Sequence, residues 1–182
     1  MFGFWWFFPV PSPESRVPRT MRILGLDPGS RITGVGIIED GRMVHAQALK
    51  LGGGPMPERL GLIFDGVREL VDRYQPTVAA VETVFMSRNA QAAIKLGQAR
   101  GAAICAVVSC GLEVHEYAPR AIKQAIVGRG GAAKEQIQHM TRVLLKLKVD
   151  LGEDASDALA VALCHHHTAQ TASRLPPGVT LR

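Results

Sequence analysis

Ile23–Ile37 reads ILGLDPGSRITGVGI, and its order of residue types governs how the rest of the chain is read. Arg22–Asp27 (RILGLD) has the short apolar pattern of a strand and stops at Pro28-Gly29, a turn pair. Thr33–Glu39 (TGVGIIE) starts a second strand, and Asp40-Gly41 after it is a hairpin turn leading into a third strand, Arg42–Leu49. The chain therefore opens with an antiparallel meander whose first strand ends on a carboxylate.

Beyond the meander the period changes. Gly52–Gly54 and Pro55 form a loop, after which Leu60, Ile63, Val67, Leu70 and Tyr74 recur at helical spacing until Pro76. Thr77–Glu82 (TVAAVE) is nearly all apolar, as in a strand buried on both faces. Asn89–Cys110 reads as a long Ala-rich helix with Gly111 placed to cap it, and its Gly97 and Gly101 would let another backbone approach closely. Leu112–Tyr117 is a further strand. Pro119–Val127 and Ala133–Leu147 are helices around a Gly-rich link, and Glu153–Thr168 is the last helix. Three strands followed by alternating helix and strand give an α/β fold, a mixed five-stranded sheet with helices on both faces.

Length and composition allow one domain with a full core. We assign it to residues 21–170, with 1–20 as an N-terminal extension and 171–182 as a tail without pattern. Six of the ten aromatic residues fall within Phe2–Phe8, a run too short to span a bilayer and with no basic residue ahead of it. Pro9–Arg19 carries four prolines and no periodicity, so the extension is expected to be disordered. Cys105, Cys110 and Cys164 contain no CxxC pair and lie in apolar helical contexts, which reads as reduced core thiols of a cytoplasmic protein.

Charge is unevenly placed. Met21–Ser87 holds seven Lys/Arg against eight Asp/Glu, whereas Arg88–Lys148 holds ten against three. A basic half suits a polyanionic partner such as nucleic acid, through counterion release; a solvated basic face is the other reading. Against this background the acidic residues stand out by position. Asp27 ends the first strand, Glu82 ends a buried strand, and Asp154 and Asp157 share a face at the start of the last helix. Taken singly, Asp27 could be a turn residue, Glu82 half of a salt bridge, and the aspartates favourable to a helix dipole. Brought together they would need a hard cation between them, Mg2+ or Mn2+. Spacing alone does not bring them together. The three consecutive histidines His165–His167 point in different directions on a helix and read as a polar helix end. Asp150 and Glu153 could extend the acidic rim.

Four segments in order resemble the RuvC family of Holliday-junction resolvases: Ile23–Ile37; Glu82–Ile104 (ETVFMSRNAQAAIKLGQARGAAI); Glu116–Leu147, with AIKQAIVG and AKEQIQHMTRVLLKL; and Asp154–Leu163 (DASDALAVAL). The resemblance runs from Met21 to about Thr168 and implies an RNase H-like fold. It implies that Asp27, Glu82, Asp154 and Asp157 are the catalytic carboxylates and bind two Mg2+ ions, with Mn2+ able to substitute. The activity implied is resolution of four-way DNA junctions in recombination and repair by two symmetric nicks leaving 5′-phosphate and 3′-hydroxyl ends. The partners implied are a second copy of the chain, as a homodimer, and the RuvA–RuvB branch-migration proteins, with no membrane. Phe85 matches an aromatic that stacks on unpaired bases, with a core residue as the lesser reading. Lys123 and Lys134 match lysines near the DNA backbone, and Arg88, Arg120 and Arg129 are candidate phosphate contacts by charge and place. Gln91, Lys95 and Arg100 lie on the long helix, whose small residues either serve the dimer or pack within the subunit. Family members carry Asp or His at the place of Asp154, and the aromatic head has no counterpart in the family pattern. Rival readings are a YqgF-like nuclease of the same fold acting on RNA, an actin-like ATPase or sugar kinase, which needs a second copy of the domain that the chain is too short to hold, and a junction-binding protein that has lost cutting.

Overall fold

In the computed structural model of the chain, residues 20–83 and 89–176 are described. The expectations for residues 1–19, Phe85, Arg88 and residues 177–182 lie outside them. Three strands come first: β1 (Arg22–Asp27), β2 (Ile32–Glu39) and β3 (Arg42–Lys50). They form the antiparallel meander the sequence suggests, with Asp40 (φ 47°) and Gly41 (φ 75°) both left-handed in the β2–β3 turn, as a tight primed hairpin requires. Then follow α1 (Met56–Tyr74), β4 (Val78–Glu82), α2 (Ala90–Ser109), β5 (Val114–Tyr117), α3 (Pro119–Val127), α4 (Lys134–Leu144) and α5 (Glu153–Ser173). The sheet order is β3-β2-β1-β4-β5, with β4 parallel to β1 and β5 parallel to β4.

Differences from the sequence reading lie at element ends and have local causes. Helix α1 begins four residues before Leu60 because Pro57 sits in its first turn, where the missing N–H costs no intrahelical bond. Strand β5 starts at Val114 because Leu112 still donates its N–H to the Val107 carbonyl and finishes the end of α2. Helix α4 stops at Leu144, three residues early, as Lys146 turns left-handed at φ 53°. Helix α5 continues past Thr168 to Ser173, so the folded unit extends beyond residue 170 and into the expected tail. His165–His167 are therefore mid-helix. His165 and His166 are buried rather than a polar end, and the three rings do face different partners: the Tyr117 hydroxyl, Gln170 and the Ala125 carbonyl.

Strand alternation divides the core in two. Leu24 and Leu26 of β1, with Ala79 and Val81 of β4, pack against α1 and α2. Ile23 of β1, with Val78 and Ala80 of β4, faces α3, α4 and α5. Helix α5, rich in alanine, lies directly on β1 and β2. That contact needs glycine: a side chain on Gly25 would strike the Ala158 carbonyl, and one on Gly34 the carbonyl of Asp154. By contrast, added side chains at Gly97 and Gly101 of α2 would meet nothing among the described residues. The close approach expected there is not made among the described residues. Cys105, on the same helix, is exposed, so it is not the core thiol expected, whereas Cys164 is buried.

Candidate active site

The strands determine where the first two carboxylates go. In β1, Ile23 and Gly25 face α5, so two residues on Asp27 faces it too; in β4, Val78 and Ala80 do, and Glu82 continues their row. The parallel register matches Leu26 to Val81, which sets Asp27 beside Glu82 at the carboxyl ends of adjacent strands. The third element is α5. Seated against Gly25 and Gly34, its first turns bring Asp154 and Asp157 to the same edge, close enough for both to act electrostatically on Asp27.

Asp27, Glu82 and Asp157 line a cleft of about 380 Å³, together with Lys123 of α3, Lys134 of α4 and an apolar floor that includes Ile122, Ile137 and Val161. Asp154 stands at its margin: its carbonyl covers Gly34, and its charge reaches Asp27 and Asp157. The carboxylates destabilise one another's ionised forms. Burial, then the charges of Asp157 and Asp154, push Asp27 up to about 6. Burial, then Asp27 and Asp157, push Glu82 up to about 7, with Lys123 pulling the other way. Burial also raises Asp157, against the opposing effect of Lys134.

Lys134 is the cation in direct contact with this cluster. Its Nζ lies 3.0 Å from Asp157 Oδ2 and also bonds to Glu153. Burial opposes the ammonium, but the bonds to Glu153 and Asp157 outweigh it and hold Lys134 above the ordinary lysine range. As the side chains stand, no group of three acidic, His or Cys residues among the described residues is drawn in tightly enough to hold an ion. The donor set nevertheless suits one. It is all oxygen, anionic and short of positive charge, which is the chemistry of Mg2+ or Mn2+ rather than of a thiolate or imidazole site.

Of the other expected site residues, Arg120 and Arg129 are exposed, one in the first turn of α3 and the other just past its end, and Arg120 packs across Gly130 of the GRGG loop. Asp150 pairs with Arg142 at 3.4 Å and so is occupied elsewhere. Gln91 and Lys95 are exposed on α2, but Arg100 is not a surface cation of the helix. Its Nε donates to the Glu82 carbonyl at 3.1 Å while its terminal nitrogen pairs with Glu116 of β5. Arg100 thus fixes the strand end that carries Glu82. No sequence signal marked this role, because residues 82, 100 and 116 meet only through the β4–α2–β5 crossover.

Comparisons with known proteins point to one family. The family model described as crossover junction endodeoxyribonuclease RuvC matches residues 23–165. Similar relatives of that name include those of Alkalilimnicola ehrlichii, 52% identical over 158 residues that cover 85% of this chain and 96% of the relative, and Stenotrophomonas maltophilia, 55% identical over 160 residues that cover 85% and 92%. Among solved structures, Thermus thermophilus RuvC in complex with a Holliday junction substrate superposes with a TM-score of 0.78 at 35% identity, covering 84% of this chain and 97% of that one. The yeast mitochondrial Holliday junction resolvase Ydc2, at 10% identity and a TM-score of 0.63, shares the fold, with 85% of this chain and 82% of its own covered.

Proposed function

The chain belongs to the RuvC family of crossover junction endodeoxyribonucleases, and from that premise we propose that it resolves four-way DNA junctions by metal-dependent hydrolysis of two symmetric phosphodiesters, leaving 5′-phosphate and 3′-hydroxyl ends. The observation that carries the reading is the convergence of Asp27, Glu82 and Asp157, from three separate elements, in one cleft that Lys123 and Lys134 also line. A carboxylate cluster beside a lysine wall is complementary to a phosphodiester approaching with its counter-cations.

Asp27, Glu82, Asp154 and Asp157 would hold two Mg2+ ions. Bound there, the ions would supply Lewis-acid polarisation of the phosphodiester and lower the pKa of an attacking water. The protein's own residues do the rest. Asp27 and Glu82 orient through adjacent strand ends, and Arg100 holds the Glu82 backbone. Lys123 and Lys134, with Arg120 and Arg129 outside them, neutralise backbone phosphates and set the register of the junction without reading its bases. Phe85 and Arg88, which lie outside the described residues, are the family's stacking position and a further phosphate contact.

A homodimer would nick both strands. Helix α2 supports it: Ile94 and Val108 are exposed, as is Cys105, and they share a stripe with the open Gly97 and Gly101. On the same premise we read the protein as acting with RuvA–RuvB in the cytoplasm. Among the described residues no helix is long and apolar enough to cross a membrane.

The decisive experiment is cleavage of a synthetic four-way junction, with and without Mg2+, beside a linear duplex and an RNA–DNA hybrid. Paired Mg2+-dependent nicks in the junction alone are expected. Cutting of the hybrid with no junction cutting would transfer the site to RNA processing, the YqgF-like alternative.

A further inference from the structure

Resting on the reading of the cleft as a metal-dependent nuclease site, we propose that Glu153 is a positioning residue for Lys134. In this role Lys134 is the internal counterion that screens the carboxylates before metal arrives, and Glu153 receives it when Asp157 is given over to the metal.

The geometry is specific. Glu153 and Asp157 are four residues apart on α5, successive rungs of one helix face, and the Lys134 ammonium bridges both. The two carboxylates are unlike. The Asp157 side chain is 22% exposed and lines the cleft, whereas that of Glu153 is 62% exposed and does not. One rung is therefore inside the acidic cluster and the other outside it. Lys134 begins α4 with half of its side chain in solvent, and its flexible four-carbon stem can carry a point charge from one rung to the next without moving backbone.

Charge favours such an arrangement. Asp27, Glu82 and Asp157 line one cleft, where like charges repel one another. A cation in contact with Asp157 relieves that repulsion, but the same cation repels an incoming divalent ion. Metal binding is then a displacement, and the displaced ammonium needs a partner. Without Glu153 it would remain on Asp157 or lose its ion pair altogether. With Glu153 it moves outward to the rim, where a DNA phosphate can reach it.

The test is calorimetric titration of Mg2+, and separately Mn2+, into the full-length protein without DNA. The set is the parent, Lys134→Met, Glu153→Gln, Glu153→Asp, the Lys134→Met/Glu153→Gln double variant, and Glu135→Gln. The last removes an equal charge from the first turn of α4 without touching Lys134. Lys134→Met is expected to tighten metal binding about threefold, and Glu153→Gln to weaken it about threefold, an interaction of the size found for residues in one ion-pair network. Glu153→Asp should retain most of the parent affinity. The effect of Glu153→Gln should vanish in the Lys134→Met background, which neither a helix-dipole role nor a plain field effect would produce. Weaker or unchanged binding by Lys134→Met overturns the proposal, as does an equal loss from Glu153→Gln in both backgrounds or from Glu135→Gln. Failure of the parent and Lys134→Met alike to bind either metal overturns the proposal together with the reading of the site. Binding without coupling overturns the proposal alone.

Discussion

The backbone of Gly34 in β2 lies so close beneath the carbonyl oxygen of Asp154 in α5 that a β-carbon at residue 34 would collide with it. The obstacle is backbone against backbone, so a side-chain rotamer change cannot relieve it. Since α5 also carries Asp157, the absence of one methyl group on β2 sets the position of two carboxylates relative to Asp27. Gly34→Ala should destabilise the fold by about 1–3 kcal/mol, the usual cost of overpacking. It should also lower junction cleavage beyond that loss, because α5 can only be accommodated by moving outward. Denaturant unfolding and single-turnover cleavage, measured on the same preparation, separate the two effects.

Asp27→Asn keeps the shape of the side chain and removes its charge from the centre of the cluster. Cleavage should fall to below about a hundredth of the parent rate, a larger loss than outer-sphere substitutions give. Junction binding should persist, since the lysine wall is untouched. Gel-shift and cleavage assays on one labelled junction check both halves, and full cutting by the variant would remove Asp27 from the site.

Acid–base linkage gives a prediction for the metal-free protein. Asp27 at about 6 and Glu82 at about 7 hold protons in the folded chain that they would release when unfolded. Their contribution to stability is present below about pH 4 and is lost as pH rises through 6 to 7. Glu82→Gln removes part of that loss. With EDTA present, its Tm relative to the parent should climb from about pH 4 to about pH 8. His165 works in the opposite sense. Burial, then His115 and His166, push it down to about 4, so its contribution is present above about 6.5 and lost as pH falls. Comparing variant with parent cancels the histidine. Mg2+ should raise Tm more at about pH 8 than at about pH 5, because the carboxylates it binds must be ionised.

Arg100 touches no predicted ligand oxygen, yet it donates to the backbone of Glu82. Arg100→Gln should weaken metal binding or cleavage about tenfold to a hundredfold, as loss of a supporting shell does. Arg100→Lys should not restore the parent, since a point charge cannot serve Glu82 and Glu116 in the two directions of a guanidinium. Metal titration and cleavage rates provide the check.

Lys123 lines the cleft beside Glu82. Lys123→Ala should weaken junction binding and reduce the slope of log affinity against log salt by about one. A slope equal to the parent's would mean that Lys123 meets no phosphate.

Much of this protein was legible along the chain. The short apolar runs RILGLD and TGVGIIE, the Asp40-Gly41 turn, and the change of period after Pro55 depend on neighbours a few residues apart, so local order suffices to read strands, hairpin and helices. Strand alternation even fixes that Asp27 shares a face with Gly25 and Glu82 with Ala80. Local order does not suffice where a residue's environment is set from a distance. The histidines of α5 read along the chain as a polar end, but the helix runs on to Ser173 and buries two of them.

The element types and the acidic residues at strand ends and helix start are written in composition and short spacing, and the family is legible through the resemblance of four segments in order. It takes packing in three dimensions to set β1 beside β4, to bring α5 down onto Gly34, to turn Arg100 back to Glu82, and to let Lys134 bridge Glu153 and Asp157. Those contacts join residues from 18 (Glu82 and Arg100) to 120 (Gly34 and Asp154) positions apart. Spacing along a chain carries no information about such pairs until packing of the sheet and α5 removes every other arrangement.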